Sequence, residues 1–452
     1  MTEKSDGIGV AIVGCGVVGG AAAAILTRDA EILAARSGLD VQLKYVVDVN
    51  FDHAREIGLD ESLFCSDLQQ VLDDDSVQVV CELVGGIDLA RSIIQRALAA
   101  GKQVVTANKA LLAHHGPELY AIARANDVAI AFEASCGGGI PIVRALLDGL
   151  IANRFDALYG IVNGTCNYIL TEMTEEGRDY QSILAEAQDD GLAEADPTLD
   201  VSGGDSAHKL AILSALAFGQ KIDFDAIPVE GIDQLELCDI GFGLELGYVV
   251  KLLAIAQAQP AGLSLRVRPV FIAQEHPLAW VSGPFNAISV YGHSTGHTMY
   301  YGRGAGGMPT ASAVVADVVS CVQGIFPQLF RQLPVWPDRT EPANQLAIED
   351  VRSRYYIRMK LSDQWGVFAR IAQVFSDCHI SIASVLQPET ENEVAADGEA
   401  NVIITTHMCK EGNLRKALTQ CSDLDVVHGE PVCIGILDEH PERLIHETEP
   451  ID

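Results

Sequence analysis

A glycine motif near the N-terminus constrains the fold more than any other feature of the chain. The apolar run Ile8–Val13 leads directly into Gly14-Cys15-Gly16-Val17-Val18-Gly19, and an alanine-rich stretch follows. This order predicts a buried strand, a tight turn and a helix that together bind a dinucleotide, because glycines let the backbone approach a pyrophosphate at the helix N-terminus. A simple strand–helix turn is the alternative. The cofactor contacts predicted from the motif are Gly14, Gly16 and Gly19.

Asp48 follows the second predicted strand, residues 41–47. A carboxylate at that position is expected to accept the ribose hydroxyls of NAD and to repel the additional phosphate of NADP. Asp48 lies 48 − 19 = 29 positions after Gly19, which is further than the usual spacing of about 20 and indicates a long first helix. Val49 and Asn50 come next, so no arginine follows Asp48 directly.

Strands and helices alternate over the first part of the chain. This alternation predicts an α/β fold with a Rossmann-type, doubly wound parallel sheet in residues 1–140. Residues 141–332 are predicted to form a mixed α+β domain for substrate binding and dimerisation, and the proline-rich stretch 333–352 a linker. Residues 353–440 show a βαββαβ order, which predicts a ferredoxin-like domain.

Composition excludes several function classes. The 452 residues carry a formal net charge of −32, so we expect no nucleic-acid partner, because neutralising phosphates needs a basic face. No apolar run approaches the ~20 residues of a membrane span, and the polar residues 1–7 do not resemble a signal peptide. Eleven cysteines without a CxxC pair indicate reduced thiols and a cytoplasmic protein.

Segment 191–209 concentrates charge on a stretch rich in glycine. Asp205 and Lys209 stand four positions apart at the head of an apolar run, which on a helix places them on one face. With Glu194 and Asp200 they predict a site for a small zwitterionic substrate, in which Lys209 gives a proton to a carbonyl oxygen. A free lysine, with a pKa of about 10.4, is an acid at neutral pH, which favours carbonyl reduction. An ordinary surface ion pair is the alternative.

Two other turns place polar residues beside predicted strand ends. Thr106-Ala107-Asn108-Lys109 ends a strand at the carboxyl edge of the sheet, where ligands bind in doubly wound folds. Lys109 is therefore a candidate anchor for substrate or cofactor, with a solvated lysine as the alternative. Glu133 precedes the glycine-rich stretch 134–141, and a carboxylate with exposed carbonyls favours a hard cation. A plain turn before a helix is the alternative there.

Together, these motifs resemble homoserine dehydrogenase. The resemblance rests on the glycine motif, the 191–200 block with Asp205 and Lys209, and three further segments in the family's order: Thr106-Ala107-Asn108-Lys109-Ala110-Leu111-Leu112, Gly164-Thr165-Cys166-Asn167 and Gly304-Ala305-Gly306-Gly307-Met308-Pro309-Thr310. The tail resembles an ACT module, a small amino-acid-sensing domain. The resemblance implies reduction of L-aspartate 4-semialdehyde to L-homoserine with NADH or NADPH, a step towards threonine, methionine and isoleucine.

The resemblance also implies a role for individual residues. Lys209 would be the proton donor and Asp205 its substrate-side partner, while Lys109 would lie between nicotinamide and substrate. Glu194 would bind the amino acid with Asp200 nearby. The further cofactor contacts that it implies are Val17, Val18, Thr106, Gly191 and Gly306. It implies a sodium-like monovalent cation at Glu133 and at the carbonyls of Cys136, Gly138 and Ile140. It also implies a homo-oligomer, either a dimer or a tetramer.

The tail departs from the ACT pattern in one loop. ACT modules usually carry Asp-x-Pro-Gly after the first strand, whereas this chain has Asp363-Gln364-Trp365-Gly366. We expect threonine to inhibit the enzyme through the tail, and the altered loop affects whether an effector can bind there.

Two alternative functions make different demands on the residues. An NAD-linked 2-hydroxy acid dehydrogenase with an ACT tail would need an arginine and a Glu–His pair, which the 191–209 block lacks. A non-catalytic amino-acid sensor would be expected to have lost Lys209 or the motif glycines.

Overall fold

The computed structural model describes residues 7–387 and 398–441. The polar N-terminal stretch that the sequence analysis distinguished from a signal peptide lies outside these residues, except for Gly7. Within the described ranges, no single helix is long and apolar enough to cross a membrane. The helices Gly307–Val322 and Ile325–Gln332 reach that length and composition only as a pair, which is bent by 77° at their junction.

The first unit is built on a six-stranded parallel sheet. Its strands are β1 (Ile8–Val13), β2 (Val41–Val47), β3 (Phe64–Cys65), β4 (Val77–Glu82), β5 (Gln103–Thr106) and β6 (Ile130–Ala131). Their spatial order is 3-2-1-4-5-6, which is the doubly wound order with its crevice beside β1 and β4. The predicted Rossmann-type sheet is confirmed. Its helices are α1 (Val17–Arg28), α2 (Ala30–Ser37), α3 (Asp52–Glu56), α4 (Leu68–Asp73), α5 (Asp88–Ala99) and α6 (Lys109–Ala125).

The middle of the chain forms an antiparallel sheet with helices packed against it. Its strands are β7 (Phe155–Ile161), β8 (Tyr248–Gln259), β9 (Gly262–Ala273), β10 (Phe285–Gly292) and β11 (Gly296–Arg303), in the spatial order 11-10-7-8-9. Its helices are α7 (Ile142–Arg144), α8 (Gly164–Glu176), α9 (Tyr180–Asp189), α10 (Thr198–Val201), α11 (Gly204–Phe218) and α12 (Leu237–Glu245). Both α8 and α11 pack on β8, and α11 also contacts α6 of the first unit. That last contact forms the cleft between the two units.

Two helices placed by the sequence in the middle domain belong in space to the first unit. α13 (Gly307–Val322) packs against α1, β4 and β5, and α14 (Ile325–Gln332) follows it. The sequence did not indicate this packing, because both helices come directly after the strands of the middle sheet. The predicted linker 333–352 is also well packed, since Trp336 is fully buried against Tyr120 and Phe330.

The tail has the predicted βαββαβ order, together with one extra two-residue strand. Its elements are β12 (Arg352–Ser362), α15 (Val367–Asp377), β13 (Ile382–Leu386), β14 (Glu399–Thr406), β15 (Cys409–Lys410), α16 (Glu411–Ser422) and β16 (Val427–Leu437). The order β16-β12-β14-β13 is that of a ferredoxin-like sheet. β16 also pairs in parallel with β9, so the tail strands extend the middle sheet. Nothing in the sequence analysis anticipated this pairing.

Candidate active site

The glycine motif forms a turn in which backbone atoms touch. Gly14 has φ +95°, and a Cβ there would lie 2.7 Å from the carbonyl oxygen of Leu83. A Cβ on Gly19 would lie 1.9 Å from the carbonyl oxygen of Gly14, whereas the space around Gly16 is open. The first and last glycines therefore let β1, β4 and α1 approach each other. The open position at Gly16, directly before α1, is where an anion can reach the amide groups of a helix N-terminus.

A second helix begins at the same place. Gly306, with φ +117°, directly precedes α13. A Cβ on Gly307 would lie only 3.0 Å from Cγ1 of Val17, the first residue of α1. Val17 is 70% exposed, and Val18 lies beside it, half-buried. The structure thus brings Val17, Val18 and Gly306 together at two helix N-termini, whose partial positive charge favours a pyrophosphate.

Asp48 lines a cleft of about 520 Å³ beside this turn. Its Oδ2 accepts a hydrogen bond from the Cys15 amide at 2.6 Å, and its Oδ1 accepts one from the Val49 amide at 2.7 Å. Arg96 of α5 lines the same cleft. The sequence analysis missed Arg96, because it lies in an ordinary amphipathic helix with no motif around it.

Thr106 belongs to a buried polar cluster at the carboxyl edge of the sheet. Its hydroxyl donates to Oε2 of Glu82 at 2.7 Å and accepts from the Asn108 amide at 3.0 Å. Burial raises the pKa of Glu82, although the hydrogen bond from Thr106 opposes this shift. Asn108 caps α6, since its Oδ1 accepts from the Leu111 amide at 3.0 Å. These contacts fix the start of α6 and therefore the position of its first residue, Lys109.

Two lysines from different units meet on one buried aspartate. Asp205, near the start of α11, lies 2.8 Å from Lys109 Nζ through Oδ1 and 2.7 Å from Lys209 Nζ through Oδ2. Lys209 Nζ also donates to the carbonyl oxygen of Val162 at 2.6 Å. The side chains of Asp205 and Lys209 are 4% and 9% exposed, whereas that of Lys109 is 35% exposed. The alternative of an ordinary surface ion pair is thus wrong, because Asp205 and Lys209 belong to a buried cluster that opens towards solvent at Lys109.

The electrostatics of this cluster favour an ionised Asp205 and a protonated Lys109. Burial alone would raise the pKa of Asp205, but Lys209 and Lys109 outweigh it and hold that pKa well below its usual range. Burial would lower the pKa of Lys109, but Asp205 outweighs it and raises the pKa. The neighbouring His208 is different, because burial and then His114 lower its pKa to about 4. His208 is therefore neutral at physiological pH and stacks on Phe224.

Asp200 joins the cluster through an asparagine that the sequence analysis did not single out. Asn163 Nδ2 donates to Asp200 Oδ1 at 2.7 Å and to Asp205 Oδ2 at 2.9 Å. Burial raises the pKa of Asp200, and the hydrogen bond from Asn163 opposes the shift. Asn163 follows β7 and caps α8, so in the sequence it looks like a common helix cap.

No contact among the described residues joins Glu194 or Gly191 to the lysines. Both are exposed on the turn 191–197 between α9 and α10. Within the described residues the Glu194 carboxylate makes no hydrogen bond or ion pair, and only its backbone carbonyl accepts, from Gln188. The turn borders the site, because Thr165 donates to the Leu192 carbonyl oxygen at 2.9 Å.

At the predicted cation site, the Glu133 carboxylate was expected to bind the cation, but in the structure it accepts hydrogen bonds from two backbone amides. The Glu133 side chain accepts from the amides of Val143 at 2.8 Å and Arg144 at 2.9 Å, so it caps the start of α7. Burial, and then Asp317, raise the pKa of Glu133 to about 7. The Ile140 carbonyl accepts from the Ile142 amide. Because both carboxylate oxygens of Glu133 accept from amides, oxygen ligands for a cation would come from backbone carbonyls, each of which has a second lone pair.

A doubly wound sheet with a glycine turn, and a lysine–carboxylate cluster at its carboxyl edge, define an NAD(P)-dependent oxidoreductase. Two family models match the chain: "Homoserine dehydrogenase, NAD binding domain" over residues 14–133 and "Homoserine dehydrogenase" over residues 141–319. The chain belongs to the homoserine dehydrogenase family. This membership sets aside a 2-hydroxy acid dehydrogenase, and the presence of Lys209 and the motif glycines argues against a sensor without activity.

Individual relatives agree with the family models. The homoserine dehydrogenase of Pseudomonas aeruginosa is 41% identical over 430 residues, which cover 94% of this chain and 98% of that protein. That of Bacillus subtilis is 39% identical and covers 93% and 96%. A crystal structure of the enzyme from Thiobacillus denitrificans has a TM-score of 0.89 at 40% identity and covers 95% and 98%. A hyperthermophilic archaeal homoserine dehydrogenase, in complex with NADPH, has a TM-score of 0.58 at 26% identity and covers 70% and 98%.

Proposed function

We propose that the chain reduces L-aspartate 4-semialdehyde to L-homoserine in the cleft between the first sheet and α11. The observation that carries the proposal is the buried cluster in which Lys109 and Lys209 lie 2.8 and 2.7 Å from Asp205. This cluster places an ammonium donor at the carboxyl edge of a dinucleotide-binding sheet. Bound NADH or NADPH supplies the hydride, and the residues of the chain bind the substrate and move the proton.

Lys209 is the proton donor in this proposal. An ammonium has three N–H bonds, and Lys209 uses one on Asp205 and one on the carbonyl oxygen of Val162. The third can face the substrate carbonyl oxygen, which gains negative charge as hydride arrives at the carbon. Transfer of that proton gives the hydroxyl of homoserine. Asp205 acts through Lys209 by holding its position and charge.

The substrate ammonium is assigned to Asp200. Only Oδ1 of Asp200 is hydrogen-bonded within the described part of the chain, so Oδ2 is left for the ligand. Glu194 is a second ammonium ligand, which the exposed turn 191–197 would bring over the substrate. Lys109, at the open side of the cluster, would lie between nicotinamide and substrate and complement the substrate's negative charge.

The cofactor fits the residues that are present. The backbone is closely packed at Gly14 and Gly19, but the position of Gly16, directly before α1, is open to a ligand. The further cofactor contacts in this proposal are Val17, Val18, Thr106, Gly191 and Gly306. Asp48 favours NADH, because its carboxylate would repel a 2′-phosphate. A sodium-like cation is assigned to the carbonyls of Glu133, Cys136, Gly138 and Ile140, since carbonyl oxygens suit a hard cation.

The tail is proposed to be an ACT module that binds an amino acid, with threonine as the first effector to test. Support comes from its ferredoxin-like strand order and from a buried ionic contact. Arg268 of β9 pairs with Glu411 of the tail and with Glu230, at 2.7 Å each. The loop after Glu230 touches the substrate segment, because the Ile232 amide donates to the carbonyl oxygen of Val201 at 2.9 Å. A change in the tail can therefore reach the neighbourhood of Asp200.

Two broader assignments complete the proposal. We expect a homodimer or homotetramer assembled through the middle sheet, which size-exclusion chromatography with light scattering would measure.

We also infer a cytoplasmic location, because all eleven cysteines lie in the described residues and none of them forms a disulfide.

The test is an initial-rate assay of aspartate semialdehyde reduction with NADH and with NADPH, with and without L-threonine. We expect turnover with both cofactors, a higher kcat/KM with NADH, and inhibition by threonine. No turnover with either cofactor would overturn the proposed reaction. If excess threonine leaves the turnover unchanged, only the effector assignment is overturned. Trp365 bears on that assignment, because it stands where ACT modules usually carry proline.

A further inference from the structure

Asn163 occupies a fixed position between the middle sheet and the active site. It follows β7 and directly precedes α8, and it is only 6% exposed. Its Oδ1 accepts a hydrogen bond from the Cys166 amide at 2.8 Å, which caps the helix. This contact determines the orientation of the side-chain amide and points Nδ2 towards the site.

The two N–H bonds of that Nδ2 end on two different carboxylates. One reaches Asp200 Oδ1 at 2.7 Å and the other Asp205 Oδ2 at 2.9 Å. A reversed amide would place an oxygen between two carboxylates, so the contacts permit only this orientation. The residue before Asn163 also contributes, because the Val162 carbonyl oxygen accepts from Lys209. Residues 162 and 163 thus hold both aspartates and the proposed proton donor.

We infer that Asn163 is a positioning residue for the proposed reaction, which bridges Asp200 to Asp205 so that the ammonium site and the proton donor keep one geometry. The inference rests on the proposed function. It goes beyond helix capping, because a cap needs only the side-chain oxygen. The bridge needs the two N–H bonds, and it also places a neutral donor between two like charges that would otherwise repel each other.

The charged and titratable groups around the bridge come from three helices. Lys109 of α6, Lys209 and His208 of α11, and Cys166 of α8 face the Asp200–Asp205 pair. The hydrogen bond from Asn163 lowers the pKa of Asp200 against the effect of burial. Loss of the bridge therefore moves the ionisation of Asp200 to higher pH.

Three substitutions separate bridging from capping. Asn163→Asp and Asn163→Ser both keep an oxygen that caps α8, but neither has two N–H bonds to give, and aspartate adds a third carboxylate. Asn163→Ala removes the cap as well. Asn167→Ala is the matched control, since Asn167 is a buried asparagine of the same helix that donates to the carbonyl oxygens of Val281 and Gly283, outside the cluster.

The experiment measures kcat and KM for aspartate semialdehyde reduction between about pH 4 and 8, with thermal melting of each variant alongside. In this direction Lys209 acts in its protonated form, so the acid limb reports the carboxylate that binds the substrate. A hydrogen bond to a charged group corresponds to about 10- to 100-fold in kcat/KM. We expect at least that loss for Asn163→Ser and a larger loss for Asn163→Asp, with the acid limb of kcat/KM shifted to higher pH. Asn167→Ala should melt earlier but leave the acid limb in place.

Two results would count against different statements. If Asn163→Ser and Asn163→Asp keep wild-type kcat/KM and acid limb while Asn163→Ala does not, Asn163 is a helix cap only and the inference is wrong. If the wild-type chain itself does not reduce aspartate semialdehyde, the proposed function fails before Asn163 is tested.

Discussion

Replacing Lys209 by methionine tests the proposed mechanism most directly. Methionine fills a similar volume, so the change removes the ammonium with little loss of packing. A positioned general acid contributes about 10²- to 10⁴-fold, which equals about 3–5 kcal/mol of transition-state stabilisation. We therefore expect kcat for semialdehyde reduction to fall by about that factor. KM should change little, because Asp200 and Lys109 remain to bind the substrate.

The structure also predicts what Lys209→Met does to stability. Removing one partner of a fully buried ion pair usually costs about 3–5 kcal/mol. Here Asp205 keeps Lys109 at 2.8 Å and Asn163 at 2.9 Å, so its charge is not left alone. The carbonyl oxygen of Val162 loses its donor, which costs about 1–3 kcal/mol. Urea unfolding should therefore show a loss of about 1–3 kcal/mol.

Lys209→Arg is the control that separates charge from proton transfer. Arginine keeps a positive charge beside Asp205, but its pKa above about 12 makes it a poor acid. We expect this variant to recover most of the stability and little of the turnover. The assay is steady-state reduction of aspartate semialdehyde at saturating cofactor. Turnover of Lys209→Met within a few-fold of wild type would refute the proton-donor role.

Three further predictions follow from other parts of the structure. Asp48→Asn removes the charge that opposes a 2′-phosphate, so the ratio of kcat/KM with NADPH to that with NADH should rise about tenfold, and an unchanged ratio would contradict the assignment. Glu133 has a pKa raised to about 7, so its neutral carboxyl stabilises the folded state fully below about pH 4 and loses this contribution as the pH rises to 7. Glu133→Gln should remove about 3 kcal/mol of that pH dependence from urea unfolding in sodium-free buffer. Arg268→Met removes the buried cation beside Glu411, which is 2% exposed. Glu411 keeps Arg415 at 2.7 Å and the Tyr355 hydroxyl at 3.2 Å, so we expect a stability loss of about 1–3 kcal/mol and weaker inhibition by threonine. Full inhibition in that variant would exclude the Arg268 contact as the link.

The parts of the fold that depend on local backbone geometry could be predicted from the sequence. The glycine motif restricts its own neighbourhood, since a Cβ at Gly19 would meet a backbone oxygen within the same turn. The alternation of strands and helices likewise indicated the first sheet. The joining of the tail strands to the middle sheet could not be predicted in this way. β16 pairs with β9 through backbone hydrogen bonds, which carry no side-chain signal.

The active site shows the same division between local and distant contacts. The Asp205–Lys209 pair follows from helical spacing, but the contact of Lys109 with Asp205 joins residues of two units. No spacing rule connects them, and Lys109 entered the prediction through its strand end and the family resemblance. Asn163 was missed for the opposite reason. Its local role as a helix cap is a sufficient explanation in the sequence, and only the fold shows that its amide nitrogen contacts two distant aspartates.

The arrangement of oxygens around the lysines assigns different tasks to carboxylates that look equivalent in the sequence. Asp205 has one oxygen on Lys109 and the other on both Lys209 and Asn163, so it has little capacity left for a substrate ammonium. Asp200 has only Oδ1 engaged among the described residues. A substrate ammonium would therefore bind Asp200 and leave the Asp205 contacts intact, and Asp205 would serve the proposed reaction by fixing the two lysines. In the proposed mechanism, binding and proton transfer thus depend on different aspartates, and the inferred role of Asn163 is to hold the two in a fixed relative position.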